Sequence, residues 1–80
     1  MIKASIKVLG KTYTAEGKTI QEAIGNLKPG TAKGMSILTI KNGDKTQDRV
    51  LPHIMTQRLF SPSPTTRIVN IKQISMRFGI

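Results

Sequence analysis

The 80-residue sequence has no cysteine and no tryptophan, and His53 is its single histidine. Without cysteine the chain can form neither a disulfide nor a thiolate zinc site, and one imidazole cannot hold a metal ion alone. We therefore expect no structural metal and no cofactor, and a core stabilised by apolar packing or by a partner. We interpret His53 as a surface or helix-start residue.

Acidic residues are also scarce, since four Asp and Glu stand against thirteen Lys and Arg, for a formal charge of +9. The acids are Glu16, Glu22, Asp44 and Asp48. All four have local explanations in a helix cap, a turn or polar stretches, so no pair indicates acid-base catalysis. Gly-Lys-Thr occurs at 10–12 and 17–19, but each lacks the glycine that a P-loop needs five positions earlier. The sequence predicts a protein that is not an enzyme.

Long apolar runs are missing as well. No stretch approaches the roughly 18 apolar residues that span a bilayer. The first eight residues alternate apolar with polar side chains, unlike a signal peptide. We expect a complete, cytoplasmic protein with no membrane contact, whose single hydrophobic core is only just sufficient at this length.

The first third of the chain predicts a hairpin and a helix. Residues 2–15 alternate apolar with polar side chains around Gly10, which is typical of two paired strands. Thr19 and Glu22 form a capping box at a helix start. The helix then has one apolar stripe, made of Ile20, Ala23, Ile24 and Leu27.

This order, together with the string Gly10-Lys11-Thr12-Tyr13-Thr14, resembles the opening of a ubiquitin-like β-grasp domain. The resemblance covers about the first thirty residues and implies an analogy of fold alone. It does not imply conjugation, because the chain ends Phe78-Gly79-Ile80 without a paired-glycine tail.

The middle of the chain predicts a second hairpin and a short helix. Residues 28–34 form a basic loop that carries Lys28 and Lys33, which would bind by charge. Residues 35–41 predict a central strand, and Asn42-Gly43 predicts a type I′ turn. A polar edge strand over 44–51 and a short helix from Pro52 to Phe60 follow.

The C-terminal arm is ambiguous. Ser61-Pro62-Ser63-Pro64 predicts an extended linker. Beyond it the β-branched Ile68, Val69 and Ile71 favour a strand. In the alternative, Ile71, Ile74 and Phe78 share one face of a helix.

The predicted class is α+β, with a small mixed sheet of four to five strands and one main helix on one face. Its order is ββαββ, then a short helix and a C-terminal strand. We divide this single domain into a compact body at 1–60, a linker at 61–66 and an arm at 67–80.

The surplus positive charge is the main functional signal, because a polyanionic partner is a common reason for a small domain to carry it. We interpret the chain as a binding protein that contacts a DNA or RNA backbone without sequence specificity. The candidate contacts are Lys3, Lys7, Lys41, Lys45, Arg49, Arg58, Arg67 and Arg77. With only three aromatic residues, a base-stacking platform is not indicated.

The alternative function is a small protein-interaction module that docks on a larger partner or an acidic protein surface. An inhibitor, or an assembly or virion component of a virus, belongs to this class, as does a homo-oligomer. The apolar arm would supply the docking residues Ile74, Met76, Phe78 and Ile80.

Overall fold

The computed structural model of the protein describes residues 1–28, 30 and 32–79. Its elements are β1 (Ile2–Val8), β2 (Lys11–Gly17), α1 (Ile20–Gly25), β3 (Ser36–Asn42), β4 (Lys45–Leu51), α2 (His53–Leu59) and α3 (Pro64–Ser75). Within these residues, four strands form one antiparallel sheet in the order β2-β1-β3-β4. The predicted α+β class is confirmed, with an antiparallel sheet of four strands in place of the mixed one.

The two hairpins close through different turns. Leu9 and Gly10 join β1 to β2 with φ of 53° and 77°, as both positions of a type I′ turn require. In the second hairpin Asn42 pairs with Lys45, so the two loop residues are Gly43 and Asp44, and Gly43 has a φ of 63°. The type I′ turn predicted at Asn42-Gly43 is therefore wrong, because the glycine occupies the first loop position, as in a type II′ turn.

The predicted first helix is confirmed as α1, with Thr19 at its N-cap. The Thr19 hydroxyl accepts a hydrogen bond from the Glu22 amide at 3.0 Å. The helix runs close to β2, since a Cβ added to Gly17 would lie 2.5 Å from the Ala23 nitrogen. This close approach places the apolar stripe of α1 directly on the sheet.

The C-terminal strand predicted for the arm is wrong, because residues 64–75 form the longest helix. Ser63 is its N-cap and Pro64 its first residue, where a missing amide and a fixed φ are tolerated. The SPSP segment therefore starts a helix and is not a linker throughout its length. Ile71 and Ile74 are buried with Phe78 just beyond the helix, and this burial outweighs the strand propensity of the β-branched residues.

All three helices lie on one face of the sheet and enclose one core. The core comprises Ala4, Ile6, Ala23, Ile24, Leu27, Leu38, Ile40, Leu51, Leu59, Ile71, Ile74 and Phe78. The other face, which we call the open face, carries the alternate residues of each strand and is covered by none of these helices. The expectation that one face stays available to solvent or partners agrees with this arrangement.

Candidate nucleic-acid interface

The basic residues do not gather on the open face. Lys3, Lys7 and Lys41 lie there, because they alternate with the buried residues of β1 and β3. Two of the four acids share this face, since Glu16 pairs with Lys3 and Asp48 accepts a 2.7 Å hydrogen bond from the Thr39 hydroxyl. Three lysines against two carboxylates leave this face at +1, so +8 of the total +9 lies elsewhere.

A second group of predicted contacts lies along β4, on the side of the sheet that bears the helices. The Arg49 guanidinium lies 5.6 Å from the centre of the Phe78 ring, and its Nε donates to the Arg77 carbonyl at 3.2 Å. These contacts hold the C-terminal segment against β4. Lys45 is exposed at the start of the same strand. Arg49 therefore has a structural role, whether or not it also binds a ligand.

Arg67, also predicted as a contact, is used inside the molecule. Its Nε donates to the Leu59 carbonyl at 3.1 Å, and its Nη2 donates to the carbonyls of Gly25 and Leu27 at 2.9 and 2.6 Å. The Leu59 and Gly25 carbonyls are the last of α2 and α1, where unpaired acceptors and negative dipole ends attract a cation, and Leu27 follows α1 closely. The half-buried side chain is therefore tied to the fold through Nε and Nη2.

Arg58, by contrast, is exposed on α2 and lines a concave surface between the basic loop and the start of α3. A depression of about 360 Å³ is bordered by Lys33, Arg58, Phe60 and Thr66, among others. A neighbouring one of about 170 Å³ shares Phe60 with it and reaches Lys28.

The two depressions form one continuous surface, which we call the basic groove. Its principal residues are Lys28, Lys33, Arg58, Phe60, Ser61 and Thr66, and the hydrogen-bonded Arg67 also borders the smaller depression. A third depression, of about 390 Å³, extends the groove from Arg58 along α3 towards Gln73.

The groove carries positive charge without compensation. No carboxylate lines it among the residues that the structure describes. The sequence explains this, because Asp48 is the last acid in the chain and the groove is built largely from later residues. The positive end of the α3 dipole lies at Pro64, beside the groove, and adds to the potential. Cations interspersed with the hydroxyls of Ser61 and Thr66 suit phosphate oxygens.

Sequence reasoning named Arg58 but did not place it with Lys28 and Lys33. The three are separated by up to thirty positions and meet only in the folded protein, where Lys28 and Lys33 lie near the end of α2. The acid-free stretch from residue 49 to the C-terminus was the available signal, since any surface built from it must be positive.

The residues predicted for partner docking have other positions. Ile74 and Phe78 are buried in the protein's own core, with 0% and 7% of their surface exposed. Met76 is exposed, and Ile80 lies outside the described residues. The described part of the arm therefore folds onto the domain and buries two of the four predicted docking residues in the core.

Other chemistry has no counterpart in the described part of the chain. It contains no group of three or more His, Cys, Asp or Glu residues that could hold a metal ion. His53 is exposed at the start of α2, as predicted, and its Nδ1 accepts a 2.9 Å hydrogen bond from the Gly34 amide. None of the helices among residues 1–28, 30 and 32–79 is both long and apolar enough to cross a membrane.

Comparison with known proteins yields no relative for this fold and this groove. No family model matches the chain, and no curated protein or solved structure matches it either. The β-grasp resemblance of the first thirty residues therefore stays a prediction, and the functional argument depends on the geometry of the chain itself.

Proposed function

We propose that this protein is a non-enzymatic binding domain that holds a nucleic-acid backbone in the basic groove. One observation carries the proposal: Lys28, Lys33 and Arg58 line a continuous concave surface on which no described residue is acidic. Such a surface attracts a polyanion and is electrostatically unfavourable without one.

A polymer suits this groove better than a small anion does. The three cations are exposed and distributed over adjoining depressions, so among the described residues they do not converge on a single phosphate. A chain of phosphates can contact each cation in turn. Phe60 is half-buried and is the one aromatic side chain among the described residues that line the groove, so one base at most can stack on them. Binding should therefore depend on charge and shape, with little base preference.

The number of free cations sets the expected salt dependence. Three phosphate contacts on a duplex give a slope of about −2.7 for log K against log salt, so affinity should fall about 40-fold between 50 and 200 mM salt. A single strand should give a slope of about −2.1 and a loss of about 20-fold. Phosphate contacts from all eight residues that the sequence predicts would give a much steeper decline.

The test is fluorescence anisotropy with a short labelled duplex and a labelled single strand across this salt range. The double variant K33E/R58E should bind more weakly and lose about two units of salt slope. The matched control is K3E/K7E, which changes net charge equally but alters the open face. Circular dichroism of each variant verifies that the fold is retained.

The outcomes separate three explanations. Loss in K33E/R58E with retention in K3E/K7E supports the groove. Equal loss in both variants means that total charge alone determines binding, and this contradicts the proposal. Greater loss in K3E/K7E assigns binding to Lys3 and Lys7 on the open face and contradicts it too.

A further inference from the structure

The open face ends in an apolar patch that the nucleic-acid proposal does not use. The patch consists of Leu9, Met35, Ile37 and Val50, which are 77%, 68%, 43% and 54% exposed. Ile37 and Val50 are directly opposite one another in the β3–β4 register. The four residues border one depression of about 300 Å³. Contiguous exposed apolar side chains commonly mark a contact site.

Leu9 provides a second reason to regard the patch as functional. It lies at φ 53° in the β1–β2 turn, a conformation that asparagine, aspartate and glycine adopt far more readily than leucine. Its side chain is also the most exposed of the patch, so burial does not compensate for the conformation. Strain of this kind concentrates where a protein binds.

Charge identifies the kind of partner. Lys7 is directly opposite Ile37 in the β1–β3 register, and it is the one charged side chain among the described residues that border the depression. A second copy, packed symmetrically on the patch, would bring two Lys7 ammonium groups together between chains of +9 each. A partner with aliphatic side chains and a nearby carboxylate would cover the apolar atoms and pair with Lys7.

We propose that the apolar patch binds an acidic, aliphatic peptide segment of another protein. The segment places its apolar side chains between Leu9 and Val50 and a carboxylate against Lys7. This site lies on the open face, whereas the basic groove lies among the helices, so the two proposals succeed or fail separately.

The test uses three short synthetic peptides of equal length, in which leucine alternates with aspartate, leucine with lysine, or serine with aspartate. Each is titrated into isotopically labelled protein and followed by NMR of the methyl groups. The Leu/Asp peptide should shift the methyl signals of Leu9, Ile37 and Val50, and the Leu/Lys peptide should bind about tenfold more weakly. The Ser/Asp peptide controls for attraction to the overall positive charge.

Three variants complete the test. L9N should weaken Leu/Asp binding without unfolding the protein, because asparagine tolerates the positive φ. The matched control I54S removes an aliphatic side chain of similar exposure, 57%, from α2 and should leave binding unchanged. K7E should reverse the order of the Leu/Asp and Leu/Lys peptides.

Several results would overturn the proposal. One is the absence of shifts at the patch with the Leu/Asp peptide. Another is equal binding of Leu/Asp and Ser/Asp, which would reduce the effect to charge. A third is self-association that L9N abolishes, detected by analytical ultracentrifugation, because the occupant would then be a second copy.

Discussion

Replacing Arg67 by methionine should destabilise the fold more than any change of an exposed arginine. Methionine keeps an unbranched apolar stem but removes the donors that reach the carbonyls of Gly25, Leu27 and Leu59. The sequence predicts Arg67 to be a ligand contact. In the structure, its hydrogen bonds connect α3 to the ends of the other two helices. The prediction therefore distinguishes a structural arginine from a binding arginine.

The magnitude follows from the three hydrogen bonds. A bond with a charged donor contributes about 1.5–3 kcal/mol, and partial access of water to the freed carbonyls reduces the sum. We expect the free energy of unfolding to fall by about 3 kcal/mol. An 80-residue domain has about 4–12 kcal/mol in total, so the variant should lose a large fraction of its stability and about 10–25 °C in Tm.

Urea denaturation followed by far-UV circular dichroism measures this difference. The matched control is R58M, the same chemical change at an exposed arginine of the basic groove, which should alter the free energy of unfolding by less than about 0.5 kcal/mol. Lysine at position 67 should restore only part of the loss, since one ammonium cannot reproduce the planar guanidinium contacts. The reasoning is refuted if R67M and R58M lose equal stability, or if R67M loses less than about 1 kcal/mol.

Three further substitutions, at Gly17, Ser36 and Thr56, test the packing of the helices on the sheet. G17A should lower the free energy of unfolding by about 1–3 kcal/mol, because its methyl group would lie 2.5 Å from the backbone nitrogen of Ala23. G79A, whose methyl group would make only an ordinary 3.9 Å contact with Gln47 Nε2, should be nearly neutral in a thermal melt of both variants. The buried hydroxyls of Ser36 and Thr56 are 2.7 Å apart and form a hydrogen bond. S36A and T56V should therefore each lower the free energy of unfolding by about 1–3 kcal/mol. A double-mutant cycle measured by urea denaturation should give a coupling energy above about 0.5 kcal/mol between the two residues. Additive losses would show that the two hydroxyls do not interact.

The two proposed sites use different layers of one small domain. The basic groove is built from the basic loop and the helices, and the apolar patch lies at one end of the open face. A partner on one would leave the other accessible. A domain with both sites would connect a nucleic acid to an acidic protein. Anisotropy of a labelled nucleic acid, measured with and without the Leu/Asp peptide, tests whether both bind at the same time.

Local signals predicted most of the elements. Alternation identified β1 and β2, and the threonine cap with its apolar stripe identified α1, because both are patterns within a few neighbouring residues. Local patterns did not predict the C-terminal helix α3. Ile68 and Val69 favour a strand by propensity, yet they are exposed on α3 and contribute little to the choice.

What the sequence by itself determined is therefore the class of the fold, most of its strands and helices, and the excess of positive charge. The tertiary structure decided that α3 is a helix, because only the assembled core buries Ile71 and Ile74. It also decided the roles of the arginines: Arg67 meets three carbonyls from distant positions, while Arg58 stays exposed beside Lys33. The residues around each arginine in the folded protein decide its role. Those surroundings cannot be predicted from the spacing of residues along the chain.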